Sequence, residues 1–191
     1  MKKAAHVLLL LGALAIQVAA PAWIIYDHER ILEEGTAYEF ETALVDPADP
    51  FRGRYVVFNL ALLEAPIPVD EAGHEAFSDA LRGDPVYVVL DRDTDGAAEI
   101  ARLALERPGG DYLRAELGNY DGAGRQARLR FPPQRYYVPE DVAPEAERLL
   151  IRPPEDETPR VTLRVEGGRQ IIESITVDGT PLVEYVRGQT S

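Results

Sequence analysis

The sequence predicts a mainly β fold, an antiparallel β-barrel or sandwich-like domain behind one N-terminal transmembrane helix, with one or two short helices. Three observations predict it. A long apolar stretch opens the chain, segments in which apolar and polar side chains alternate every second residue follow, and glycine-rich turns separate those segments. We therefore expect a membrane anchor over residues 1–35 and an extracytoplasmic β-rich domain over residues 36–191.

The composition limits the classes of protein that the chain can belong to. Of its 191 residues, 46% are hydrophobic and 28% are charged, which is the balance of a globular protein. The 33 acidic and 20 basic side chains leave a net charge of -13, and such a surface repels a phosphate backbone, so nucleic acid is not an expected partner. The chain has no cysteine, which excludes thiol catalysis, cysteine-ligated zinc, iron–sulfur clusters and disulfides.

The N-terminal apolar stretch, Ala4–Tyr26, follows the only two lysines of the chain, Lys2 and Lys3, and precedes the first acidic residue, Asp27. As a helix this stretch would be about 34 Å long, enough to cross a hydrocarbon core of roughly 30 Å. The two lysines should stay in the cytoplasm. We therefore expect a single-pass protein of a bacterial inner membrane, which contacts the bilayer through residues 4–26 and has its acidic bulk on the periplasmic side.

A cleaved signal peptide is the alternative interpretation of the same stretch. Small residues suit a cleavage site at Val18-Ala19-Ala20 or at Ala20-Pro21-Ala22. Pro21 argues against the first site, and the apolar run that continues to Tyr26 argues against both. The anchor is the favoured interpretation, and its helix should continue through Glu29–Glu34 and end at Gly35, a residue typical of helix C-termini.

Strand patterns follow Gly35 and continue to the end of the chain. The hairpin prediction is clearest, because Val161, Leu163 and Val165 alternate with polar residues before a Gly167-Gly168 turn. The other predicted strands are Ala37–Leu44, Arg54–Leu62, Val86–Leu90, Ala97–Leu105, Tyr112–Leu117 and Arg125–Phe131. Ala97–Leu105 also contains good helix formers, so its strand assignment competes with a helix.

Two segments have helical character within the domain. Asp70–Arg82 ends at Gly83-Asp84-Pro85, and Pro144–Ile151 begins with proline, which is favoured in the first turn of a helix.

A compact motif leads into the second predicted strand. The motif is Asp46-Pro47-x-Asp49-Pro50-Phe51-Arg52-Gly53-Arg54-Tyr55-Val56, and it follows Trp23, Glu29, Leu32 and Gly35 in that order. Together these residues resemble the GDYXXLXY protein family. Arg54, Phe58 and Leu60 stand where the family name has Asp, Leu and Tyr, and a literal Gly110-Asp111-Tyr112 occurs later in the chain. The resemblance implies an inner-membrane protein of unassigned biochemical function, with its domain outside the cytoplasm and a multi-spanning membrane protein as its companion.

The residues of this motif support two interpretations without the family. In the first, two Asp-Pro units form a stiff corner, arginines pair with the aspartates, and a glycine supplies a positive φ at a bulge. In the second, Arg52, Arg54 and Tyr55 form a recognition patch for an anionic group or a partner. The candidate site residues are Asp46, Pro47, Asp49, Pro50, Arg52, Gly53, Arg54 and Tyr55.

An acidic loop, Asp91-x-Asp93-x-Asp95-Gly96, matches the first half of an EF-hand calcium loop. The twelfth position is Arg102, where calcium needs a bidentate carboxylate. We therefore expect an acidic hairpin turn, with calcium binding as the alternative.

Other residues that could carry chemistry show no catalytic pattern. Asp70, His74 and Ser78 would share one side of a helix, but spacing supplies neither an oriented base nor an oxyanion hole. A Ser–Lys dyad is excluded, because the lysines precede the anchor. The three histidines are too scattered for a zinc site. Arg135-Tyr136-Tyr137-Val138-Pro139 is an aromatic strand edge or loop, suited to core packing or to a partner.

The sequence therefore predicts a membrane-anchored, extracytoplasmic accessory or interaction module without catalytic residues, metal or cofactor. One alternative is a periplasmic hydrolase that uses paired carboxylates, with calcium in a supporting role. Another is a soluble periplasmic binding protein that signal cleavage releases.

Overall fold

The computed structural model describes residues 2–43, 55–151, 153–154 and 158–189. Four α-helices lie in this part of the chain, together with a short 3-10 helix at Ala61–Leu63. The α-helices are α1 (Lys2–Glu34), α2 (Glu71–Asp79), α3 (Ala143–Ile151) and α4 (Leu182–Gln189).

The prediction of one or two short helices was wrong in number. The two that were predicted are present as α2 and α3. The additional helix, α4, follows the last strand and buries Leu182 and Val186, which are one helical turn apart. Its short length and mixed composition make its pattern weak in the sequence, and packing against the core stabilises it.

Eleven strands lie in the same described part of the chain. They are β1 (Thr36–Ala43), β2 (Tyr55–Leu60), β3 (Ile67–Pro68), β4 (Pro85–Arg92), β5 (Ala98–Ala104), β6 (Tyr112–Asp121), β7 (Gln126–Arg130), β8 (Gln134–Tyr137), β9 (Arg160–Glu166), β10 (Arg169–Val177) and β11 (Thr180–Pro181). The segment with competing helix and strand character is the strand β5, which pairs with β4 along its length.

The first sheet has six antiparallel strands in the order β11-β10-β9-β1-β2-β8. The predicted hairpin is confirmed as β9 and β10, with Glu166 opposite Arg169. Gly167 and Gly168 form the turn with φ values of 55° and 85°, a backbone conformation that side chains disfavour and glycine adopts readily. The side-chain Nε2 of Gln170 donates a 3.2 Å hydrogen bond to the side-chain Oε1 of Gln134, so β10 and β8 approach each other as the sheet curls.

The second sheet has five antiparallel strands in the order β3-β7-β6-β4-β5. It curls in the same way, so that its two edge strands, β3 and β5, line one shared groove. The two sheets are half-barrels whose inner faces build one continuous hydrophobic core. The alternation of side chains places fully buried residues on both inner faces, for example Leu163 in the first sheet and Leu113 in the second.

α1 joins the first sheet through its last two turns. The Ile31 side chain is buried, and its carbonyl accepts a 2.9 Å hydrogen bond from the amide of Gly35, so the helix ends where the sequence predicted. Three arginines form ion pairs in this region, and we call them the junction arginines: Arg30, Arg164 and Arg169. Arg30 pairs with Glu34 and Glu166, Arg164 pairs with Glu173, and Arg169 pairs with Asp27 and Glu166.

Eight large apolar side chains in α1 before Asp27, among those that the structure describes, are exposed. Their exposed fractions range from 55% at Leu14 to 73% at Leu10. The exposed set comprises Leu10, Leu14, Ile16, Val18, Trp23, Ile24, Ile25 and Tyr26. Among the described residues, no helix is at once long enough and apolar enough to cross a membrane. The helical form of the predicted anchor is confirmed, and its place in a bilayer stays a prediction.

Candidate functional site

The candidate site residues of the motif are represented in the described part of the chain by Tyr55 alone. Asp46, Pro47, Asp49, Pro50, Arg52, Gly53 and Arg54 lie outside the described residues, so the corner and the recognition patch both stay predictions. Tyr55 opens β2.

Tyr55 contacts two residues of the neighbouring strand β8, and we call these three residues the β8 edge cluster. Tyr55 lies opposite Tyr137, and the two rings meet edge to face with their centres 5.8 Å apart. The guanidinium carbon of Arg135 lies 5.6 Å from the centre of the Tyr55 ring, within the range of a cation–π contact. β8 is the last strand of its sheet, so the motif leads into an aromatic and cationic surface at a sheet edge.

The segment Arg135–Pro139 serves both roles that the sequence allowed. Tyr136 packs against the core, whereas the side chain of Tyr137 is 74% exposed. The two-residue period of the strand explains the division, because neighbouring side chains point to opposite faces. Tyr136 therefore contributes to core packing, and its neighbour Tyr137 is available at the surface.

The acidic loop after β4 is a hairpin turn, and the Asp93 carboxylate accepts hydrogen bonds from backbone amides of the same loop. Asp93 accepts hydrogen bonds of 2.9 Å and 2.8 Å from the amides of Asp95 and Ala97. Gly96 has a φ of 91°, and its carbonyl accepts a 3.2 Å hydrogen bond from the Glu39 amide of the other sheet. In the part of the chain that the structure describes, no group of three or more His, Asp or Glu residues is arranged to hold a metal ion. The turn therefore connects the two sheets.

The spaced residues of α2 do not form a catalytic triad. Asp70 caps the helix, where its Oδ1 accepts a 2.7 Å hydrogen bond from the Gly73 amide. The Ser78 hydroxyl donates to the backbone carbonyl of His74 at 2.8 Å, while the Nδ1 of that histidine lies 2.6 Å from the hydroxyl of Tyr120. The aspartate and the serine both bond to backbone groups, so neither contacts the imidazole as a triad requires.

The literal Gly110-Asp111-Tyr112 sequence has a structural role between the two sheets. Asp111 accepts hydrogen bonds of 3.2 Å from the Tyr38 hydroxyl and from the Gly167 amide. Burial, together with the charge and hydrogen bond of Asp111, raises the pKa of Tyr38 to about 12. This carboxylate therefore links β1 to the β9–β10 turn.

One cavity was not predicted as a site from the sequence. It has a volume of about 580 Å³, and residues from the end of α2, the loop that follows it, β6 and β7 line it. Among the described residues, its lining contains Arg82, Arg128 and Arg130 and no acidic side chain, and we call it the arginine cavity. The alternation in β7 indicates that Arg128 and Arg130 share a face, but nothing in the sequence brings Arg82 beside them.

The fold and these surfaces define a class: a β-rich domain of two curled antiparallel sheets that follows a long N-terminal helix with exposed apolar side chains. The model of the GDYXXLXY protein family matches residues 17–175, from the middle of α1 to β10. The chain belongs to this family, as its motif indicated. Neither the curated proteins nor the solved structures include a match to the chain.

Proposed function

We propose that the protein is an extracytoplasmic accessory module that α1 anchors in a membrane and that binds a multi-spanning membrane protein. The observation that carries the proposal is the exposure of apolar side chains along α1. Trp23 and Ile24, for example, are 68% and 59% exposed. A contiguous apolar surface of this kind marks a contact with lipid or with another protein.

The distribution of charge supports the orientation of the anchor. The sequence of 23 residues from Ala4 to Tyr26 has no acidic or basic side chain apart from His6, and two lysines precede it. All 33 acidic side chains follow it. Lysines next to a membrane helix favour the cytoplasmic side, so the β-rich domain is placed on the other side.

The junction between α1 and the first sheet supports a fixed position of the domain. Arg164 donates a 3.0 Å hydrogen bond to the carbonyl of Gly35 and pairs with Glu173. Arg169 reaches from β10 to Asp27 on the helix. Since the contacts extend over two turns of α1, the domain is held at the helix end instead of following a long linker.

Membrane fractionation tests the anchor. We expect the full chain to sediment with membranes and to resist extraction by alkaline carbonate. The double variant Ile16→Glu/Val18→Glu should be extracted, because each charge at a helix centre costs about 3 kcal/mol in a bilayer. Leu81→Glu is the matched control, since Leu81 is 72% exposed but lies on the β-rich domain. A wild-type chain that stays in the soluble fraction would contradict the anchor.

Two further measurements test orientation and cleavage. Because the chain has no cysteine, Ala76→Cys introduces a single label site on an exposed position of α2. A membrane-impermeant maleimide should label this variant in intact spheroplasts. Labelling only after lysis would contradict the orientation. The intact mass of the protein should include residues 1–26, whereas a mature chain that begins after Ala20 or Ala22 would show a released protein.

The partner is tested at the β8 edge cluster, since exposed tyrosine and arginine residues are typical of energetic centres in interfaces. Purification of the tagged full chain from solubilised membranes should recover an integral protein with several transmembrane segments. Tyr137→Ala should reduce its recovery, while Leu81→Ala, at an equally exposed position, should leave it unchanged. Equal recovery with both variants would contradict this surface as the contact.

A further inference from the structure

We propose that the arginine cavity binds a phosphate group. This site is separate from the β8 edge cluster and from α1, since no described residue of either lines it. The inference starts from the composition of the lining. The chain has 33 acidic and 20 basic side chains, yet in the part of it that the structure describes, three arginines and no carboxylate line this cavity.

The charges of the three arginines are not neutralised by the described residues. In that part of the chain, neither Arg82 nor Arg128 nor Arg130 has a carboxylate oxygen within the 4.0 Å of an ion pair. Glu116 lies opposite Arg130 in the β6–β7 register without forming such a pair. The cavity therefore concentrates positive charge on a protein that is acidic as a whole.

The strand geometry brings two of these charges together. Arg128 and Arg130 are two residues apart on β7 and both are exposed, so their side chains leave the same face of the sheet. Their separation along the strand is roughly 7 Å at the level of the backbone. Like charges at this separation repel each other, and an anion bound between them removes that repulsion.

A bulge in β6 brings its backbone close to β7 beside the two arginines. The register shifts between Leu117 and Asn119, so Gly118 is the extra residue. A Cβ atom at Gly118 would lie 3.0 Å from the carbonyl oxygen of Arg128 and 3.7 Å from the Cγ of Arg130. Glycine at this lining position therefore lets β6 approach the backbone of Arg128 closely, and a side chain there would push the two strands apart.

The polar groups of the lining suit an oxyanion. The bulge places Asn119 opposite Arg128, and the side-chain amide of asparagine is a neutral hydrogen-bond donor. Arginine presents its donors in a planar fork that matches the oxygens of phosphate. Three cations with a neutral donor favour the greater charge of a phosphate over that of a single carboxylate. The phosphate belongs either to a soluble phosphorylated compound or to a phospholipid headgroup.

Calorimetric titration of the full chain in a non-ionic detergent at low ionic strength tests the site. One probe is inorganic phosphate, and the other is a short-chain, soluble phosphatidylglycerol. We expect saturable binding at one site. Arg128→Gln and Arg130→Gln should each weaken it about threefold to tenfold, because each removes a charged donor. Gly118→Ala should weaken it without a change of charge.

Arg102→Gln is the matched control. Arg102 is also exposed, lies on the opposite edge of the same sheet and has no ion pair among the described residues, but it does not line the cavity. Its loss should leave both affinities unchanged. Tighter binding of phosphatidylglycerol supports the site with a lipid as the source, and tighter binding of inorganic phosphate supports it with a soluble compound. Absence of saturable binding by either probe, or equal weakening by Arg102→Gln, would overturn the proposal.

Discussion

The junction arginines and the arginine cavity use the same residue type in opposite ways. Each junction arginine has at least one carboxylate partner, and Arg164 also donates to the carbonyl of Gly35. The cavity arginines have no carboxylate partner among the described residues. Arginine at the junction therefore holds elements of the chain together, whereas arginine in the cavity remains available to an external anion. Changes in the two regions should therefore affect different measurements.

The largest expected effect is at the junction, where Gly35 has no room for a side chain. A Cβ atom at Gly35 would lie 2.4 Å from the carbonyl oxygen of Ile31, and that oxygen is part of the backbone and cannot rotate away. We expect Gly35→Ala to lower the free energy of unfolding by about 2–3 kcal/mol, the range of overpacking. Chemical denaturation of the full chain measures it.

Gly188→Ala is the control for this substitution. Gly188 lies in α4, where an added Cβ atom would meet no atom within 4 Å, and alanine is the better helix former, so stability should stay equal or rise slightly. If both alanine variants were as stable as the wild type, the close approach at the junction would be refuted.

The second effect depends on pH and concerns Tyr38. This residue lies on β1, which pairs with β9, the strand that contains Arg164. Its folded-state pKa of about 12 is above the ordinary value of 10.0, so folding favours the protonated phenol. This stability is fully present below pH 10 and is lost as the pH rises toward 12. At about pH 11 the loss should be about 1.4 kcal/mol.

Tyr38→Phe removes the ionisable group and provides the comparison. Unfolding of both proteins between about pH 8 and about pH 11 should show a smaller decline for the variant, by the same roughly 1.4 kcal/mol. The variant loses the hydrogen bond to Asp111 at every pH, so only the difference in slope is informative. If the free energies of unfolding of the two proteins declined equally with pH, the raised pKa of Tyr38 would be contradicted.

The third effect is the loss of one junction arginine. Arg164→Gln removes the pair with Glu173 and the hydrogen bond to Gly35, at a position where 27% of the side chain is exposed. We expect a loss of about 1 kcal/mol in unfolding free energy, with no change in phosphate affinity. A double-mutant cycle with Glu173→Gln isolates the ion pair, and a coupling energy of zero would show that the pair does not contribute.

The smallest effect on stability should come from the arginine cavity. Arg128→Gln removes an exposed charge without a carboxylate partner among the described residues, so the unfolding free energy should change by less than about 0.5 kcal/mol. Thermal unfolding in phosphate-free buffer measures it. A loss as large as that of Arg164→Gln would show that Arg128 is structural, and the contrast between the two regions would then fail.

Periodic patterns in the sequence predicted most of the fold. Alternation predicted the β9–β10 hairpin, and the end of α1 at Gly35 followed from the residue type there. The strands β3, β8 and β11 are two to four residues long, too short to show a period, and they exist through their partners in the sheets. Helix α4 was missed for a similar reason, because its apolar face has only two buried residues.

The candidate site was harder to predict from the sequence than the fold. The motif that leads into β2 is recognisable in the sequence, and the family match confirms the family that it indicated, although most of its residues lie outside the described part of the chain and their role stays a prediction. The role of Asp111 depends on Tyr38 and Gly167, which are 73 and 56 residues away, and no local pattern connects them.

The family, the β-rich class, the long N-terminal helix and the excess of acidic residues all follow from the amino-acid sequence, since composition and short-range periodicity are local properties. Which arginines have carboxylate partners depends instead on the packing of the two sheets. A guanidinium near a carboxylate from a distant strand becomes part of the scaffold, and one that the sheet packing leaves without such a neighbour does not. That distinction depends on how the strands are ordered in the two sheets, because strand order brings together residues that the chain keeps far apart.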